Sequence, residues 1–228
     1  MNTSYKLPGG GIKCLLYLSN KDIYNILLFN KKTDIASKQY WVKKFPGLEI
    51  SWDMWYKNNF INKLLPRRCK DFNWRVFYGQ VNTERRLLKM KMSDGICKIC
   101  GSTFENLEHI LIACQDLQVI WSTIEGIINK SFKCTLMLTR LNKMGVFMEE
   151  SSTTDLVNVV LSICRWEIWK RRCTYKYDSV LYNVHECLKV ILDKLLIHMN
   201  LLRRVLKDKE VVSLCELLGD VIENHRRI

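Results

Sequence analysis

The chain has 228 residues, 48% of them hydrophobic and 11% aromatic. That suffices for one core, or one core plus a small metal-held module, and it is the wrong balance for a disordered chain. No run of about 18 to 20 uninterrupted apolar residues is present to span a membrane, and the formal net charge of +13 points to a polyanionic partner, nucleic acid before an anionic membrane surface.

The charge is uneven. Met54 to Met92 holds ten basic residues against two acidic, whereas Ser93 to Cys164 holds five basic against eight acidic. The polar start, Met1 to Gly11 with Pro8-Gly9-Gly10-Gly11, reads as a flexible lead and not as a secretion signal. A short amphipathic helix is expected around Ile23, Tyr24, Ile26 and Leu27, capped from Ser19-Asn20-Lys21-Asp22. A second is expected from Asp34 to Phe45, with Trp41 and Phe45 on one face before Pro46-Gly47.

Ser51 is positioned to cap a third helix carrying Trp52, Trp55, Tyr56, Phe60 and Leu64. Pro66 suits the first turn of a fourth, Arg67 to Phe77. Its inner face is Cys69, Phe72, Val76 and Phe77; Arg67, Lys70 and Arg75 face outward. Asn82 or Thr83 caps a fifth, Glu84 to Met92, which crowds Arg85, Arg86, Lys89 and Lys91 together. The cations Arg67, Arg68, Lys70, Arg75, Arg85, Arg86, Lys89 and Lys91 are the candidate nucleic-acid contacts, of the kind that grip phosphate without reading sequence. Trp74 and Tyr78 are candidates to stack on unpaired bases, although core packing is the expected role of Trp74.

Cys97, Cys100, His109 and Cys114 form C-x2-C-x8-H-x4-C. Three thiolates and one imidazole make a closed tetrahedral zinc set with no position left for substrate, and four compatible ligands are far more specific than a lone CxxC. Gly101 after the second cysteine suits the tight turn that presents two sulfurs. With no secretion signal, the cysteines are expected reduced; Cys14, Cys69, Cys134, Cys164, Cys173, Cys187 and Cys215 read as buried free thiols.

Beyond the module, Leu117, Ile120, Trp121, Ile124, Ile127 and Ile128 mark one helical stripe. Thr135 to Phe147 carries the weakest pattern, and Thr135-Leu136-Met137-Leu138 within it is open between strand and loop. Ser151 to Asp155 caps a long helix with Leu156, Val159, Val160, Ile163, Trp166 and Trp169 inside, and its Lys170-Arg171-Arg172 end suits a helix C-terminus. Leu181, Val184, Leu188, Ile191, Leu195, Met199, Leu202 and Leu206 form a longer stripe that requires a partner surface, either the preceding helix or another chain. A last helix runs from Glu210 to Asn224.

The fold class is therefore mostly α, with a small embedded zinc knuckle. The expected layout is a lead over 1–18, a basic helical region over 19–92, the knuckle with its following helix start over 93–121, and a C-terminal helical region over 122–228.

Four stretches resemble the reverse transcriptase zinc-binding region of LINE-type (non-LTR) retrotransposon polyproteins. They are Lys21 to Leu28, the tryptophans from Trp41 to Trp55, the pair Lys70-Asp71-Phe72-Asn73-Trp74-Arg75 and Asn82-Thr83-Glu84-Arg85-Arg86-Leu87, and the zinc motif followed by Trp121. The resemblance covers roughly Ser19 to Trp121, more loosely Arg165 to Lys170. It implies binding of element RNA, or of target DNA, during target-primed reverse transcription, by a polyprotein fragment or a captured gene.

A polymerase needs paired aspartates for two metal ions. No Asp-Asp pair occurs here, the acids are dispersed, and His185, His198 and His225 lack catalytic neighbours. The expected protein is not an enzyme. It is an intracellular, zinc-dependent nucleic-acid-binding module, with RNA preferred to DNA, no membrane and no small-molecule substrate, and nucleus and cytoplasm both open. The alternative is a helical interaction scaffold or homodimer built on the Leu181–Leu206 stripe, with zinc purely structural.

Overall fold

The computed structural model describes residues 4–6, 12–14, 36–46, 49–147, 151–178, 180 and 183–226. Contacts divide the chain into two units, Met1–Leu48 and Glu49–Ile228. In the first, strands β1 (Ser4–Lys6) and β2 (Ile12–Cys14) pair antiparallel with Tyr5 opposite Lys13, inside the stretch read as a flexible lead. Helix α1 (Ala36–Lys44) carries Trp41, whose ring stacks on Phe45 at 6.1 Å. The helix expected around Ile23 to Leu27 lies outside the described residues.

The second unit starts with α2 (Trp52–Tyr56), which is capped as expected: Ser51 Oγ accepts from the Met54 amide at 3.4 Å. The helix widens into a π turn, Lys57–Ile61, and Trp55 lies 4.2 Å from the Phe77 ring. Helix α3 (Arg67–Phe77) follows Pro66 and buries Cys69, Phe72, Val76 and Phe77. Helix α4 (Glu84–Lys89) is capped by Thr83, which accepts from the Arg86 amide at 3.3 Å. It stops short of Met92 because Lys91 turns left-handed, at φ 59°.

After the knuckle, α5 (Gln118–Phe132) buries its predicted stripe, and Trp121 Nε1 donates to the Leu111 carbonyl at 3.1 Å. Thr135 to Phe147 contains no strand; it forms a short helix, α6 (Arg140–Lys143), closed by a Thr139–Asn142 capping box.

Helix α7 (Ser152–Tyr177) departs most from its reading. Its sequence reads as one apolar stripe, yet every residue from Leu156 to Arg165 is buried. A helix enclosed on all sides is a core element; α3, α6, α8 and α9 pack around this one. Trp166 and Trp169, expected inside, are only half-buried and flank the Phe72 ring at 5.6 and 6.1 Å.

The polar residues on its enclosed faces meet buried partners. Asn158 donates to the Asn58 carbonyl at 2.7 Å. Arg165 donates to the Lys143 carbonyl (2.9 Å), Asn73 Oδ1 (3.1 Å) and Ser162 Oγ (2.7 Å). These acceptors are neutral, so burial pulls the guanidinium down to about 10.

Helices α8 (Val184–Val205) and α9 (Lys209–Arg226) form an antiparallel pair against α5 and α7. Ile191, Leu195, Met199 and Leu202 are buried there, Val184, Leu188 and Leu206 partly so, and Leu181 lies outside the described residues. From Ile191 to Leu202 the stripe is therefore covered by its own chain. His198 Nε2–H donates to the Leu64 carbonyl at 2.8 Å and makes it a satisfied structural histidine; His185 and His225 are exposed. No helix among the described residues is long and apolar enough to cross a membrane.

Cys69, Cys164, Cys187 and Cys215 are buried free thiols, and burial raises Cys69 and Cys187 to about 12 and Cys215 to about 11. Two of the cysteines read as buried differ: Cys173 is half-buried and Cys134 exposed. The Cys14 side chain lies outside the described ones.

Gly145 is where backbone and core meet most tightly. Its φ is +86°, and a Cβ there would stand 2.6 Å from Asn59 Oδ1 and 3.1 Å from Arg165 Nη2. Asn59 has no room to yield, because its amide donates to the Trp55 and Gly145 carbonyls. Gly145→Ala is expected to lose about 2 to 4 kcal/mol through left-handed strain and overpacking. Urea denaturation measures this, and a loss below about 0.5 kcal/mol would contradict the packing described.

Candidate functional site

The knuckle is a local fold that presents its donors from two sides. The Ile96–Phe104 bridge closes its first loop, and the Cys97 amide donates to the Thr103 carbonyl at 2.9 Å. The Gly101 amide turns back to the Cys97 carbonyl at 2.9 Å, and Gly101 holds φ +66°, a conformation that suits glycine. The other two donors come from a π turn, His109–Ala113, and from Cys114 just after it. Asn106 Oδ1 accepts from the His109 amide at 2.8 Å and fixes the start of that turn.

Cys97, Cys100, His109 and Cys114 bring one donor atom each to within 4.8 Å of one another. In a zinc tetrahedron, bonds to sulfur of about 2.3 Å leave sulfurs roughly 3.8 Å apart, so the four donors already stand near metal-binding separation. His109 Nε2 lies 3.4 Å from Cys100 Sγ and faces the cluster. Its Nδ1 lies 3.1 Å from Thr103 Oγ1, which can accept the Nδ1 proton and leave Nε2 free to ligate. A hydrogen bond from the Cys114 thiol draws Cys97 down to about 6, and Cys114 is raised in turn. Such thiol sharing is what a metal ion replaces when it takes up thiolates.

Behind the knuckle lies an ionic cluster that sequence reading missed. Arg172 of α7, fully buried, reaches Glu105 of the knuckle and Glu84 of α4, each at 2.5 Å. Its Nε also donates to Glu105 Oε2 at 3.2 Å. Lys176 Nζ and Ser93 Oγ complete Glu84, and the Glu84 amide donates to Glu105 Oε1 at 2.9 Å. Burial alone would raise the Glu84 pKa. The hydrogen bonds from Lys176 and Ser93 and the charge of Arg172 outweigh it and hold the carboxyl below its usual range. The available signal was Glu84 itself, one of two acids among ten bases. Lys170-Arg171-Arg172 reads in sequence only as a helix-end charge.

The predicted cations fall into two groups. Arg67, Arg68, Arg75, Arg85, Lys89 and Lys91 are exposed. Lys70 is half-buried, its Nζ 3.5 Å from the Ile61 carbonyl. Arg86 donates to the Gly79 carbonyl (2.5 Å) and Gln80 Oε1 (2.7 Å), so it clamps the α3–α4 turn. Trp74 is 49% exposed, which corrects the core packing expected of it, and its ring pairs with Tyr78 at 4.8 Å. Arg67, Asp71, Trp74, Arg75 and Tyr78 line the outer face of α3.

Residues 18–121, just under half of the chain, match the model of a family described as zinc-binding in reverse transcriptase. That span takes in α1 to α4, all four clustered donors and the start of α5. No curated protein and no solved structure matches the chain.

Removing the arginine from the buried cluster leaves Glu105 without its cation and Glu84 with Lys176 alone. Arg172→Met is therefore expected to cost about 3 to 5 kcal/mol, and to lower Tm by roughly 6 to 20 °C. Calorimetry reads the shift, and a fall of under about 2 °C would remove the cluster as a structural pin.

Proposed function

We propose that the chain is a non-catalytic nucleic-acid-binding module that holds one zinc ion at Cys97, Cys100, His109 and Cys114, and that it derives from a LINE-type retrotransposon polyprotein. Zinc is structural in this reading: three thiolates and an imidazole fill its tetrahedron and leave no place for substrate or water. The observation that carries the binding role is the exposure of the cations on α3 and α4. Arg67, Arg68, Arg75, Arg85, Lys89 and Lys91 stand free to meet phosphates, with the Trp74–Tyr78 pair between the cations of α3. Aromatic rings among cations suit single strands, whose bases are open to stacking, and RNA is the preferred ligand over DNA.

The alternative, an interaction scaffold or homodimer, drew its surface from the long stripe on α8. From Ile191 to Leu202 that stripe packs on α5, α7 and α9, which leaves less of it for a partner.

Two measurements test the reading. Elemental analysis of the purified protein is expected to give one zinc per chain, lost in Cys97→Ser; a folded protein without zinc would refute the metal assignment. Binding to single-stranded RNA is expected to weaken steeply with salt. Arg85→Glu combined with Lys89→Glu should lower affinity about tenfold or more and reduce the log–log salt slope by about 1.4, two phosphate contacts on a single strand. Unchanged affinity in a folded double variant would discard this face.

A further inference from the structure

One group of exposed apolar side chains has no role in the core or in the metal site. Phe104 is 55% exposed and Leu88 38%, and the two come together over Gly95. A Cβ on Gly95 would lie 2.8 Å from Leu88 Cδ2 and 3.1 Å from Phe104 Cδ1, so the glycine is what lets the side chains close over the backbone. Met90 and Met92, on the turn that ends α4, are 53% and 72% exposed.

This apolar group sits among cations. On α4, Arg85 precedes Leu88 by three residues and Lys89 by four, so all three share a face. The Arg85 amide donates to the carbonyl of Glu105 at 3.0 Å, which brings that face against the residue next to Phe104. Lys91 follows, exposed. The nearest exposed acid, Asp94, is neutralised by Lys98 at 2.7 Å.

Phe104 is also held rigidly. It pairs with Ile96 across the knuckle, and its neighbours are Thr103, which meets His109, and Glu105, which is buried on Arg172. A large ring held on the knuckle loop, next to a helix face that carries Arg85 and Lys89, suits a ligand that is apolar in its centre and anionic at its edge. An unpaired nucleotide has that pattern, a base between phosphates.

Resting on the nucleic-acid reading above, we infer that Phe104 and Leu88 form a base-stacking platform for unpaired nucleotides, with Arg85, Lys89 and Lys91 holding the flanking phosphates. The platform is separate from the Trp74–Tyr78 pair on α3, and it makes the knuckle itself part of the ligand surface. It predicts a preference for unpaired over fully paired strands, because a base inside a duplex offers no face to the ring.

The test compares a ten-nucleotide oligouridine with a blunt twelve-base-pair RNA duplex, by fluorescence anisotropy across a salt series, for the zinc-loaded chain, Phe104→Ala and Phe104→Tyr. Zinc content and Tm check that the variants fold. The expected result is an approximately tenfold loss on oligouridine for Phe104→Ala, at the low end for loss of a base–aromatic contact. The salt slope should stay unchanged, duplex binding should be little altered, and Phe104→Tyr should restore affinity. An equal loss on both ligands, or no loss on oligouridine, overturns the platform while leaving the basic face standing. Failure of the unsubstituted chain to bind either ligand at low salt overturns both readings.

Discussion

Arg172 is the pin on which the knuckle side of this unit depends. A buried guanidinium is costly unless its charge is compensated, and here the compensation comes from two elements distant in sequence. Glu84 opens the basic helix α4, and Glu105 lies inside the knuckle between its second and third donors. Arg172 comes from α7, the helix enclosed at the centre of the second unit. One side chain thus ties the core, the cationic helix and the loop of the four donors together. Neither carboxylate can leave without exposing the other groups to an uncompensated charge.

This arrangement explains why the knuckle does not need a large apolar core of its own. Its loop is short, and a metal ion held by the four donors would fix it only internally. Its position on the helical body comes from the ionic cluster, the Arg85–Glu105 backbone bond and the seat of Trp121 on Leu111. The cations of α4 are thereby held in a fixed relation to the donors. Order in the knuckle and order in the cations of α4 are one physical property.

Legibility in the sequence followed the range of the interaction. The four donors fall within eighteen consecutive positions, and their chemistry restricts them to few arrangements, so they could be read directly. The stripe of α5, the Ser51 and Ser151 caps and the inner face of α3 were legible for the same reason: each rests on helical periodicity or on one local hydrogen bond. Arg172 was not legible, because its partners lie 88 and 67 residues away, and a cation near a helix end has a sufficient local explanation. Trp74 was misread because aromatics at helical spacing are usually core, whereas Phe72 and Val76 already fill the inner side of α3.

The misreading of α7 shows the same limit from the opposite direction. Asn158, Ser162 and Arg165 look like the polar side of a surface helix. They are buried because their partners are the Asn58 carbonyl in a π turn, the Asn73 side chain on α3 and the Lys143 carbonyl at the end of the short helix α6. Backbone carbonyls at such irregular points need donors, and long polar side chains on the central helix reach them. The polar residues of α7 are therefore as much a consequence of the irregular segments around it as of α7 itself. That relation explains why Gly145, in one of those segments, must lie so close to Asn59 and Arg165: the central helix satisfies its neighbours only when their backbones approach within contact distance.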